Sequence, residues 1–153
     1  MSIDTNKALI LASFDEGWNA RHLAIFDQLL HPDLVDHSVP SGLPTTQEGA
    51  KELAKRFWSA FPDLRFTIED QIAEGDKVVT RWTAGGTHTG ALMGIQPTGR
   101  HVVVTGIRID RLLRERILES WAEIDQLGML RQLGAVALDR RVIIARGRSG
   151  TTH

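Results

Sequence analysis

The chain contains no cysteine and no tyrosine. Without thiols there are no disulfides, no thiolate metal sites and no cysteine nucleophile. Without phenols, every mechanism that uses a tyrosine as acid or oxyanion donor is closed. An excess of charge of one sign is missing too. Its 18 Lys and Arg against 19 Asp and Glu give a formal net charge of -1, which offers no attraction to nucleic acid or to an anionic membrane. No run of about 18 apolar residues occurs, so no membrane-spanning helix is expected. The N-terminal "MSIDTNKALILASFDEGWNA" places Asp15 and Glu16 directly after its apolar run. It lacks the basic start and small-residue cleavage site of a signal peptide, and a cytoplasmic protein is the expectation. The six histidines show neither H-x-H nor H-E-x-x-H spacing. No G-x-G-x-x-G, Walker or nucleophile-elbow sequence occurs, so neither a metal nor a cofactor is expected.

What is present fits one globular domain. The 153 residues, 42% hydrophobic and 24% charged, are enough for a sizeable core and too few for two. The first third carries helical spacing. Asp4 or Thr5 is placed to cap a segment in which Ile10, Phe14 and Trp18 share a face. "RHLAIFDQLLHP" repeats the pattern and is expected to end at Pro32. "TTQEGAKELAKRFWSAFP" is the clearest helix, with Thr45 and Glu48 at capping-box spacing. In it Ala50, Leu53, Ala54, Phe57, Trp58 and Phe61 follow i, i+3, i+4, i+7, i+8, i+11, and Pro62 closes it.

After Pro62 the period changes. "LRFTIEDQIAEGDKVVTRWTAGGTHTG" alternates, with "EGDK" as a hairpin turn, and "RHVVVTGIRIDRLLRERILESWAEID" alternates again with a break near Arg114 and Glu115. About three helices followed by four long strands predict an α+β fold, an antiparallel sheet covered on one face by helices. Between the strands, Gly90, Gly94 and Gly99 read as backbone devices, and Pro97-Thr98-Gly99 as a turn. The tail "DRRVIIARGRSGTTH", residues 139–153, is basic and is expected to be partly mobile or to serve a subunit contact, beyond a single domain over residues 1–138.

Along a strand, alternate residues share a face. In "ILESWAEID" this puts Ile117, Glu119, Trp121, Glu123 and Asp125 together. Facing a concave apolar cavity, such acids would have raised pKa values, as a general base for carbon acids needs. Facing water, they would be a solvated sheet edge beside a half-buried tryptophan.

Three stretches, "HPDLVDHSVP", "FPDLRFTIEDQIAEGDKVVTRWTAGGTHTGALMGIQPTGRHV" and "ILESWAEIDQLGMLRQLG", resemble the SnoaL-like polyketide cyclase family of the nuclear transport factor 2-like superfamily. The likeness runs from about residue 5 to 135. It rests on an ordered set: F-P-D, G-T-H-x-G-x-x-x-G-x-x-P-T-G and W-x-x-x-D-x-x-G-x-x-x-Q-L-G. The resemblance implies a cone-shaped half-barrel, helices closing a strongly bent sheet over one deep pocket, and a homodimer or higher homo-oligomer. It implies cofactor-free cyclase or isomerase chemistry on a hydrophobic carbonyl compound, above all intramolecular aldol cyclisation of a polyketide ester. Asp125 then corresponds to the acid/base, with His88 and His37 as assisting donors. Trp121, Trp82, Phe57 and Phe14 would contact substrate, with Leu92, Met93 and Ile95 as an apolar lip. Glu123 stands outside the motif, able to compete as base or to bind a polar substituent. The alternatives are a dehydratase, an epoxide hydrolase, for which no Asp-Arg-Asp set can be assigned although Arg81 and Arg108 are available, and a non-catalytic small-molecule-binding module.

Overall fold

The computed structural model describes residues 2–136, so the basic tail 139–153 lies outside the described residues. The helices come first: α1 (Ile3–Ala12), continued by a π-helical stretch (Ser13–Asn19), then α2 (Leu23–Leu29). After β1 (Leu30–Asp36) comes α3 (Gln47–Ala60). Then follow β2 (Arg65–Glu74), β3 (Lys77–Thr87), β4 (His101–Leu113), β5 (Arg116–Ile124) and α4 (Gln126–Gln132). The predicted α+β architecture is present, with helices packed on a five-stranded sheet ordered β1-β5-β4-β3-β2.

Several local details differ from the sequence reading. The sheet is mixed, because β1 pairs with β5 in parallel while the other pairs are antiparallel. α2 stops at Leu29, and Pro32 lies inside β1. A proline is tolerated there because β1 is an edge strand and need not donate from that position. The α1 cap is Ser2, whose hydroxyl accepts the Thr5 N–H, with Asp4 in the first turn. The α3 cap is Thr46 rather than Thr45 and makes no side-chain cap bond, so the capping box does not form.

The turns follow their residues. Gly75 has φ 59 between β2 and β3, and Arg114 and Glu115, φ 50 and 63, make the two-residue turn between β4 and β5. Such left-handed pairs match the twist of hairpin strands. One irregularity sets the orientation of β5. Arg111 pairs with Glu119 but Leu112 with Ile117, so Leu118 forms a bulge. A single extra residue reverses which face the following side chains take. Ile117 therefore points inward with Leu112, while beyond the bulge Ser120, Ala122 and Ile124 point inward and Glu119, Trp121 and Glu123 outward.

The core fills the space between the helices and the inner sheet face. Ile10, Phe14, Phe26, Leu34, Val78 and Trp82 are its centre. An aromatic chain runs through it, with Phe66 5.5 Å from Phe14, 5.1 Å from Trp18 and 5.0 Å from Trp82 between ring centroids. Tilted and edge-on pairs at these spacings are favourable beyond their buried area.

Candidate active site

A cavity opens within this core between the helices and the inner sheet face. Its wall is aromatic and aliphatic: Phe14, Trp18 and Phe26 come from the N-terminal helices, Leu53, Phe57 and Phe61 from α3 and its end, and Phe66, Trp82, Val104 and Ile124 from the sheet. Gln126 and Met129 of α4 complete it. The expected contacts Phe14, Phe57 and Trp82 all lie on this wall.

One part of the wall is charged. Asp36, Ser38 and Arg108 line it, with Asp110 and Ser120 fully buried beside them. Strand pairing assembles the group, since Asp36 is the β1 partner of Ser120 and Asp110 its β4 partner. Arg108 Nε donates to Asp110 Oδ1 at 2.8 Å and Nη2 to Ser120 Oγ at 3.0 Å. The Ser120 hydroxyl donates to the same Asp110 oxygen. Asp36 Oδ1 accepts the Ser38 N–H at 2.9 Å and the Ser38 hydroxyl at 2.5 Å. Burial opposes the Arg108 charge, but Asp110 and Asp36 outweigh it and raise its pKa above the ordinary arginine value. The guanidinium is thus permanently cationic and held as a fork by two partners. Among the described residues the buried Asp110 Oδ2 has no hydrogen-bond partner, and these bonds to Arg108 and Asp36 use Nε, Nη2 and Oδ1. The cavity therefore combines an apolar wall with a carboxylate and a cationic donor, the two groups that proton transfer next to a carbonyl requires.

The other candidates lie elsewhere. Asp125 is exposed, caps α4 and accepts the Gly128 N–H at 2.9 Å. Glu123 and Asp125 border a second recess with Arg81, Trp82, Gly106 and Ile107. Trp121 stacks on His37, centroids 5.3 Å apart and planes 12° apart, and His37 Nε2 meets Glu119 Oε2 at 2.8 Å. This group sits on the outer sheet face. His88 is fully buried; its Nδ1 accepts the Thr98 N–H at 3.2 Å, its Nε2 has no partner among the described residues, and its ring packs on Phe61. Leu92 is buried with Phe61, Val102 and Met129, Ile95 packs against them, and Met93 is 63% exposed. None of Asp125, Glu123, Trp121, His37, His88, Leu92, Met93 and Ile95 is among the residues lining the cavity. The loop motif instead ties the loop down: Thr89 and Gly90 N–H groups both donate to the Ala60 carbonyl, and Gly99 N–H to that of His88.

Asp36, Ser38, Asp110 and Ser120 are not among the residues expected from the sequence motifs. The signal was in "HVVVTGIRIDRLL", where Arg108 and Asp110 fall in the inward register of Val102, Val104 and Leu112. Two charges in phase with a buried face are costly unless paired, which marks a site. Among the described residues no group of three or more His, Asp or Glu side chains is arranged to hold a metal ion. Nor is any helix long and apolar enough to cross a membrane.

Comparison with known proteins agrees with this architecture. A profile of the SnoaL-like polyketide cyclase family matches residues 8–133. TsrD of Streptomyces laurentii is 29% identical with a TM-score of 0.81, over 89% of this chain and 99% of that one. AclR of Streptomyces galilaeus, a proposed hydroxylase, is 29% identical with a TM-score of 0.81, over 95% of both chains. IdmH of Streptomyces antibioticus, a proposed polyketide cyclase, is 33% identical with a TM-score of 0.75, over 84% of this chain and 98% of that one. No curated protein matches the sequence. With the profile spanning most of the chain, and these folds superposing along nearly their whole length, the chain belongs to the SnoaL-like polyketide cyclase family.

Proposed function

We propose that the protein is a cofactor-independent cyclase acting on a hydrophobic carbonyl compound by intramolecular aldol condensation, a polyketide ester being the substrate class, in the cytoplasm. The observation that carries this reading is the presence of Asp36 and Arg108 together at one side of a largely apolar cavity. Asp36, held through Oδ1 by Ser38, uses Oδ2 to take a proton from the carbon beside a carbonyl. Arg108 Nη1 stabilises the resulting enolate oxygen. The enolate carbon attacks a second carbonyl of the same molecule, forming the ring C–C bond. The new alkoxide recovers the proton from Asp36. Substrate and product are isomers, and the carboxylate is regenerated. Asp110 and Ser120 act by holding Arg108.

The test is Asp36→Asn measured against a panel of polyketide methyl esters, with binding followed by tryptophan fluorescence. Loss of a general base lowers kcat by about 10²- to 10⁴-fold, and binding stays near wild type. Unchanged turnover in Asp36→Asn sinks the assignment, and binding without turnover of any ester by the wild type favours a non-catalytic binding module.

A second reading has its own support. Asp36, Arg108 and Asp110 form the Asp-Arg-Asp set that epoxide hydration uses. One carboxylate would activate water to attack an epoxide carbon, and the other, protonated, would donate to the opening oxygen. Labelled water separates the two, because hydration incorporates its oxygen and aldol closure does not. The proposal extends to assembly as a homodimer through the outer sheet face.

A further inference from the structure

Trp82 and Gly106 stand opposite each other in the β3–β4 register, both in the inward-facing phase of their strands. The indole lines the cavity and also reaches across to β4, where it covers Gly106. A Cβ at Gly106 would lie 2.2 Å from Trp82 Cζ2, 2.6 Å from Cε2 and 2.8 Å from Cη2. No real Cβ approaches ring atoms so closely, so the glycine is what allows the indole to lie there. Gly106 does not use the left-handed backbone, and glycine weakens a strand interior. Close approach is therefore its only visible purpose.

The neighbours give that purpose a direction. On β4 the adjacent inward residues are Val104 and Arg108, and both line the cavity with Trp82. Phe66 meets the indole edge-on at 5.0 Å and 60°, which holds the ring from the β2 side. The indole thus forms a floor between the apolar wall and the charged cluster. With any side chain at position 106, the ring would have to lift into the space a ligand needs.

We propose that Gly106 is a positioning residue for substrate specificity. By seating the Trp82 indole against the sheet beside Arg108, it selects planar conjugated carbonyl compounds over globular ones of the same size. This rests on reading the cavity as the substrate site with Arg108 as the carbonyl-binding group. A planar ligand stacks on the indole with its oxygen toward Arg108 Nη1, and a globular one cannot use the floor.

The experiment compares wild type, Gly106→Ala, Trp82→Phe and the double variant by calorimetric titration with two carbonyl probes of equal heavy-atom count. The probes are naphthaldehyde, which is flat, and adamantanecarbaldehyde, which is globular. Wild type prefers naphthaldehyde by about tenfold, a difference of about 1.4 kcal/mol. Gly106→Ala loses that preference, and Trp82→Phe/Gly106→Ala regains binding to within about threefold of Trp82→Phe, because phenylalanine does not reach over position 106. If Gly106→Ala does not fold, Trp82→Phe alone carries the test: it loses the preference for naphthaldehyde, and a Trp82→Phe that keeps the tenfold preference overturns the proposal. Equal binding of both probes by wild type, wild-type selectivity in Gly106→Ala, or a double variant no better than Gly106→Ala would overturn the proposal. Probe binding does not need turnover, so the wild-type preference is read whether or not the aldol reading holds.

Discussion

At the start of α4 the Asp125 carboxylate accepts the Gly128 N–H, and a Cβ at Gly128 would come within 2.2 Å of Oδ2. An N-cap of this type contributes about 0.5–2 kcal/mol. Asp125→Ala is therefore expected to lower stability by about 1 kcal/mol in urea unfolding and to leave kcat/KM near wild type. A fall in kcat of about a hundredfold would move the general base to Asp125. Two other carboxylates act through pH. Asp63 lies below its ordinary carboxylate value because the Thr87 N–H and hydroxyl both donate to it. Glu119 is lowered chiefly by the His37 hydrogen bond, against partial burial, with Arg111 adding to it. A carboxylate with a depressed folded pKa stabilises the protein above its unfolded pKa, and the contribution is lost as pH falls through the folded one. The melting temperature should thus drop in acid below about pH 4. Asp63→Asn with Glu119→Gln should make that drop shallower; an identical acid limb in the variant contradicts the pairing.

Among the elements, α4 depends most on its surroundings. Seven residues are far too few for a helix to hold by itself in water. Gln132 docks it: Oε1 accepts the Val103 N–H and Nε2 donates to the Val103 carbonyl, each at 2.8 Å. The amide thereby imitates the edge of a neighbouring strand. Arg100 Nη1 reaches the Gln132 carbonyl at 3.1 Å, and Met129 and Leu133 are buried beneath. The W-x-x-x-D-x-x-G-x-x-x-Q-L-G pattern is in this light a docking device, with cap, close approach, strand mimic and buried leucine in order. Gln132→Ala leaves two backbone groups without their partner and should cost about 1–3 kcal/mol. Hydrogen exchange at the Val103 amide should accelerate in the variant, and protection equal to wild type would refute the docking role.

For the whole molecule the outer sheet face is the open surface. Across it Arg81, Ile107 and Glu123 form one row, and Val79, Ile109 and Trp121 another. Val103, Ile107 and Ile109 are exposed there at 49%, 48% and 36%. The face is thus basic on β3, apolar along β4 and acidic on β5. A two-fold axis running along β4 would lay Arg81 of one protomer against the partner's Glu123, with the isoleucines between, a self-complementary arrangement. Ile107→Glu is expected to dissociate the proposed dimer in sedimentation velocity. Arg81→Glu should weaken it modestly, as exposed pairs contribute about 0.2–1 kcal/mol, and Glu123→Arg in the same chain should restore it. A wild type that sediments as a monomer at every concentration ends this reading.

Local chemistry by itself determined much of this protein. The change of period at Pro62 separates α1 to α3 from β2 to β5, while β1 and α4 fall outside that division. Gly75-Asp76 and Arg114-Glu115 set the hairpins, and the spacing of α3 brings Phe57 to the cavity. Those features are decided by neighbours in the chain, so periodicity and turn chemistry reveal them. The charged cluster was decided only in three dimensions. Parallel pairing of β1 with β5 sets Asp36 beside Ser120, and antiparallel pairing brings in Asp110 with Arg108, residues far apart in the chain. The bulge at Leu118 then turns Glu119, Trp121 and Glu123 away from the cavity and Ser120 toward it. A one-residue phase shift leaves no mark in an alternating pattern, yet it exchanges the two faces of a strand.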